Sequence, residues 1–184
     1  YDGGVWQALH KHQWEVRLSQ LNNLWVSIYS GITTCNRVIS DLDTYKEFID
    51  ESVYTRYKAE TTTLRSFYYS LLLDLFGNVP YVSDYEGEIT SYPQSSRTEV
   101  FENVLKDIEI SLPYLDEAPT SANYGRCTKS MAYVMLAKLY LNAKVFKGAA
   151  SYEAANMNKV IEYCDLVINS GHYAVVSDFK APFV

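Results

Sequence analysis

The chain has 184 residues, 48% of them hydrophobic, with a net charge of −6. That is enough chain for one domain with a real core, and too acidic for the basic footprint of a nucleic-acid binder. Cys35, Cys127 and Cys164 are odd in number and lack metal-like spacing, so a disulfide framework does not hold this fold.

Residues 1–17 are aromatic and show no clean period, so an irregular segment is expected there. The longest apolar run, residues 67–76, is broken by Asp74 and is far shorter than the roughly 18 residues of a spanning helix. The chain opens on Tyr1 rather than Met and has no visible signal peptide. It reads as a piece of a longer protein, with any targeting segment upstream.

The spacing predicts a first long helix over about 18–41, with Leu21, Trp25, Ile28, Ile32, Cys35 and Ile39 as its stripe. Gly31 inside it points to close helix packing. A second helix is expected over about 52–76, capped by Asp50 or Ser52, with Leu64, Tyr68, Leu71 and Leu75 on its apolar face. Gly77 offers a left-handed cap, and Pro80 stops the helix from resuming. After a polar loop, Ser96 and Glu99 read as a capping box opening a third helix, about 97–112, which buries Phe101, Val104, Leu105, Ile108 and Leu112. A fourth, about 128–146, is capped by Thr128 and apolar on most sides, hence central. A fifth, about 151–170, carries Met157, Ile161, Cys164 and Ile168. Residues 18–184 are thus expected to form one all-α scaffold of antiparallel hairpins: first with second, third with fourth, fifth with something beyond the chain. The pattern resembles tetratricopeptide-like stacking into an α-α superhelix, though no strict repeat of about 34 residues is visible.

No catalytic constellation is legible. The acids sit in loops or on helix surfaces rather than as a recognisable pair flanking a scissile bond. His10, His12 and His172 lack further ligands at metal spacing, and no nucleophile elbow or phosphate-cradling loop occurs. Trp6 and Trp14 lie outside the long helices beside Asp2, Gln7, His10 and Gln13. An aromatic face flanked by amides and carboxylates suits a sugar, the ring covering its C–H face and the polar groups its hydroxyls. The alternative is a lid packed on the helices. Arg65 is expected to tie helices together through carbonyls or a carboxylate, and Arg126 to play a similar positioning part.

Residues 59–80, from Ala59-Glu60 through Leu64-Arg65 and Tyr68 to Phe76-Gly77 and Pro80, resemble the SusD/RagB signature, in which an Ala-Glu-x-x-Phe-Leu-Arg-Ala-x-x-Tyr helix ends at Phe-Gly-x-x-Pro. Gly125-Arg126-Cys127-Thr128-Lys129 is similar to that family's Gly-Arg-x-Thr-Lys helix start. Thr63 and Ser66 depart from the usual Phe and Ala. The resemblance implies a lipid-anchored protein on the outer face of the outer membrane, the anchor cysteine lying upstream. It implies binding of an oligosaccharide or related nutrient without catalysis or cofactor, and capping of a SusC-type TonB-dependent transporter. It also implies that glycan contacts come from loops outside the scaffold helices, the region Trp6, Gln7 and Trp14 occupy here. Two rival readings are a tetratricopeptide-type adaptor that binds peptides and a glycan-active enzyme.

Overall fold

The computed structural model describes residues 3–85 and 92–180; Asp2 lies outside them. Among the described residues seven helices follow in order: α1 (Val5–His10), α2 (Ser19–Tyr45), α3 (Glu51–Leu75), α4 (Arg97–Ser111), α5 (Lys129–Leu141), α6 (Ala143–Phe146) and α7 (Ala154–Ile168). Short 3-10 turns, Lys46–Phe48 and Leu112–Tyr114, follow α2 and α4. Among the described residues, β pairing is limited to single bridges, Val79 with Ser95 and Asp116 with Thr128. The fold is all-α, as expected.

Local chemistry sets the helix ends. Asp50 accepts from the Ser52 backbone N–H at 2.9 Å and opens α3. Ser96 accepts from the Glu99 N–H at 3.2 Å, which supplies one half of the expected capping box. Thr128 accepts from the Met131 N–H at 3.4 Å to start α5. Gly77 closes α3 at φ 78°, with its N–H and that of Phe76 both reaching the Leu72 carbonyl. The expected fourth helix divides at Asn142, whose side chain bonds the Lys138 carbonyl four residues back, so that α5 ends and the short α6 begins.

α3 packs between α2 and α4, and α5 packs chiefly on α7, with a smaller contact to α4. This corrects the expected pairing: the main partner of α4 is α3, and α7 finds its partner within the chain. The core runs through Ile28, Ile32, Tyr69, Leu72, Leu73, Val104, Ile108 and Leu136. The α2 and α4 stripes lie where the period places them. The α3 stripe does not. Leu64 and Leu75 are exposed, while Thr63, Ser66, Tyr69, Leu72 and Leu73 are buried. Clasped on two sides, α3 buries polar residues that break the apolar pattern. On α7, Ile161, Cys164 and Ile168 face outward. Tyr163 is buried instead, its ring stacked against Tyr133 and Tyr140 at 5.9 and 6.0 Å. The irregular opening segment contains a helix, α1, that its composition did not announce.

Candidate functional site

The aromatic segment before α2 turns sharply twice. Gly4 opens α1 at φ 85°, and His12 adopts φ 53°, in the left-handed region, just past the end of α1. Trp6 is 65% and Trp14 47% exposed, and Gln7 and Gln13 are exposed beside them. The Trp14 ring lies 5.2 Å from that of His12, tilted by 54°. An indole with much of its surface in solvent, beside an exposed amide side chain, can cover the apolar face of a sugar ring while the amide takes its hydroxyls.

The motif residues form a different structure, a polar clamp inside the scaffold. Arg65 is only 6% exposed. Its Nη1 donates to Asn36 Oδ1 at 2.9 Å and to the Ser83 carbonyl at 2.6 Å, and its Nη2 donates to Asp107 Oδ2 at 2.7 Å. One guanidinium therefore joins α2, α3, α4 and the chain after α3, as its fork of donors allows. Tyr81 adds its hydroxyl to Asp107 Oδ2 at 2.9 Å. Tyr69 accepts from the Val82 N–H at 2.7 Å and donates to the Val82 carbonyl at 3.0 Å. Tyr29 donates to the Pro80 carbonyl at 2.8 Å. Burial pushes the Tyr69 phenol from 10.0 up to about 12, and those of Tyr29 and Tyr81 higher still.

Glu60 pairs not with Arg65 but with Arg126, whose Nε and Nη2 reach Oε2 at 2.8 and 2.7 Å while its guanidinium lies over Tyr57. That pair links α3 to the entry of α5. Gly125 takes φ 82° just before it. Tyr68 lays its ring against Gly31, where a Cβ would meet ring atoms at 2.6 Å. The expected fastening role of Arg65 and Arg126 is thus visible atom by atom. Asn36, Asp107 and Tyr69 were not assigned to it from sequence. The signal was Asn36, a polar residue directly after a buried stripe position, with no partner close in sequence.

Two larger hollows lie elsewhere. One, about 720 Å³, runs between α3 and α5 and is lined mainly by apolar groups such as Phe67, Leu71, Met131, Val134 and Met135. The other, about 710 Å³, lies by α7 with Glu162, Asp165 and His172 on its walls. Among the described residues no group of three or more His, Cys, Asp or Glu is placed to hold a metal ion, and no helix is long and apolar enough to cross a membrane. Cys35 and Cys127 are buried. Burial, then the nearby Glu60 carboxylate, pushes the Cys127 thiol up to about 11, which removes it as a nucleophile near neutral pH.

Comparison with known proteins gives this geometry its context. Residues 2–141 match the profile of a SusD-like family described as starch-binding and associating with the outer membrane. The starch-binding protein SusD of Bacteroides thetaiotaomicron is 29% identical over 151 residues, which are 78% of this chain and 26% of that protein. Surface glycan-binding protein A of the same organism, solved in complex with laminarihexaose, is 27% identical with a TM-score of 0.70, over 88% of this chain and 32% of that one. Surface glycan-binding protein A of Bacteroides uniformis, 24% identical, shares the fold with a TM-score of 0.82 over 98% of this chain and 38% of that one. The chain spans about a quarter of the length of the curated relatives it matches. With the match reaching from residue 2 through the end of α5, the chain belongs to the SusD-like (SusD/RagB) family.

Proposed function

We propose that the full-length protein binds an oligosaccharide or related nutrient at the outer face of the outer membrane, held there by a lipid anchor upstream of Tyr1. It delivers the ligand unchanged to a SusC-type TonB-dependent transporter. The observation that carries this reading is the likeness, at 27% identity, to a glycan-binding protein solved with laminarihexaose. The exposed Trp6 and Trp14, with Gln7, support a sugar platform on this part of the chain.

Stacking on one or two rings gives modest affinity; a dissociation constant of about 1 mM corresponds to about −4 kcal/mol, within reach of a few such contacts. The test is calorimetry of the full-length protein against a glycan panel that includes laminarihexaose, beside thermal melts. Trp6→Ala is expected to weaken oligosaccharide binding about tenfold and leave the melting midpoint nearly unchanged. A lower midpoint with unaltered binding would return Trp6 to a packing role. Absence of binding to every glycan at millimolar concentration would remove the proposed function.

A further inference from the structure

A third hollow, about 180 Å³, lies between the first half of α3 and the end of α4. Ala59 and Ser111 are among its buried lining residues, at 5% and 3% exposure. Tyr54 and Tyr114 contribute aromatic rings, and Tyr114 is 52% exposed.

The polar groups around it are held in place. Asp107 lines the hollow, and its Oδ2 is taken by Arg65 and Tyr81. Its Oδ1 carries no hydrogen bond among the described residues, so one carboxylate oxygen remains an open acceptor. Arg65, fixed by Asn36 and the Ser83 carbonyl, keeps that carboxylate from swinging. The Thr62 hydroxyl is likewise without a partner among the described residues. Ser111 donates its own proton to the Asp107 carbonyl at 2.7 Å, which leaves its oxygen free to accept. Lys58 donates to Asp43 at 2.6 Å and to the Tyr54 hydroxyl at 3.1 Å, and so braces one aromatic wall.

This set discriminates by charge. Asp107 is already paired with Arg65 and Lys58 with Asp43, so the walls offer no uncompensated charge to attract an anion or a cation. Aromatic walls, an open carboxylate oxygen and small hydroxyls are what a neutral polyhydroxylated ring needs: C–H groups meet the phenol faces and hydroxyl protons meet the acceptors. The volume is well under the roughly 300 Å³ where pockets for larger ligands begin, so it fits one ring and not a chain.

The geometry points to a second carbohydrate site, a pocket for a single neutral sugar residue between α3 and α4, built from none of the residues of the Trp6–Trp14 segment. It rests on the proposed function for the choice of glycan as ligand class. Preorganisation by a buried arginine is its distinguishing feature: the Asp107 carboxylate is held in place before the ligand arrives, so little ordering is left to binding.

The experiment is saturation-transfer NMR on the full-length protein with glucose, galactose, mannose and xylose, each at millimolar concentration, run in parallel with laminarihexaose calorimetry. At least one monosaccharide is expected to bind. Tyr114→Ala and Thr62→Val are each expected to weaken it about tenfold, whereas Val26→Ala, on the exposed side of α2, leaves it unchanged. Both substitutions lie at the rim or remove only a hydroxyl, and an unchanged melting midpoint checks that the fold persists. No monosaccharide signal overturns the pocket, as does a signal indifferent to both variants. Blocked maleimide labelling of Tyr114→Cys in the native full-length protein also overturns it, since the rest of the chain would then cover the opening. If oligosaccharide binding that depends on Trp6 survives such a result, only this pocket fails; if no glycan binds at all, the proposed function fails with it.

Discussion

Arg65 fastens several elements of the fold through one guanidinium. It is nearly buried, and its three acceptors come from α2, α4 and the segment after α3. Removing one partner of a buried ion pair leaves the other without compensation, at a cost of about 3–5 kcal/mol. Since Asp107 keeps 20% of its side chain exposed, Arg65→Ala is expected near the lower end, about 3 kcal/mol, measured by urea denaturation. Arg65→Lys should recover little of it, because a single ammonium lacks the planar fork that serves all three acceptors; full recovery by lysine would show that charge alone matters. Tyr69 makes a second prediction, in pH. Its phenol holds its proton more tightly folded, titrating at about 12 instead of 10.0 because it is buried. The stability this gives is complete below pH 10 and is lost as pH rises from 10 to 12. Melts across that window should show a falling midpoint, and in Tyr69→Phe the fall should be shallower. An identical slope would mean that the neighbouring phenols carry the whole effect.

At the scale of elements, the α2–α3 contact turns on one glycine. Alanine is favoured over glycine inside a helix by about 1 kcal/mol, yet a Cβ at Gly31 would stand 2.6 Å from the Tyr68 ring. Overpacking of this kind costs about 1–3 kcal/mol, so Gly31→Ala should destabilise slightly on balance, and in a Tyr68→Ala background the same change should stabilise. A double-mutant cycle by thermal melting reads the reversal of sign; equal effects in both backgrounds would deny the contact. The turn after α3 follows the same logic. Asn78 accepts from the Arg97 N–H at 2.8 Å and so satisfies an amide at the start of α4, which makes it more than a spacer after the Gly77 cap. These cases explain what the sequence made legible. The α2 stripe was readable because α2 buries one face. The α3 face was misplaced because helices clasp it on two sides, and its buried Thr63 and Ser66 look like surface in a hydropathy pattern. On α7 two apolar stripes coexist, and the large ring of Tyr163 decided which turned inward, through stacking that no spacing encodes. The Arg65 clamp was expected in kind, but its partners come from positions 29, 18 and 42 residues away, beyond any local pattern.

For the whole molecule, the informative surface is the one that α5 presents to the 720 Å³ hollow. Val134 on α5, about half exposed, lines it beside Phe67, Leu71, Met131 and Met135. A helix apolar all round is the mark of a buried helix, and contiguous apolar surface of this kind marks an interface. Polar groups such as Ser70, Asp74 and Asn142 also line it, but most of its open surface is apolar, as at a covered interface. The relatives are about four times as long as the matched region, and in a protein of that length the remaining chain is the nearest covering. The last prediction follows. In the full-length protein, Val134→Cys should resist maleimide labelling until the fold is unfolded in urea, whereas Val26→Cys, on the exposed side of α2, should label at once. Val134→Asp should lower the melting midpoint of the full-length protein by an amount typical of an unpaired buried charge, at least about 3 kcal/mol, while Val26→Asp stays within about 0.5 kcal/mol. Equal labelling of the two cysteines, with equally mild effects of the two aspartates, would mean that the hollow stays open to solvent, and the apolar face of α5 would then need an intermolecular partner.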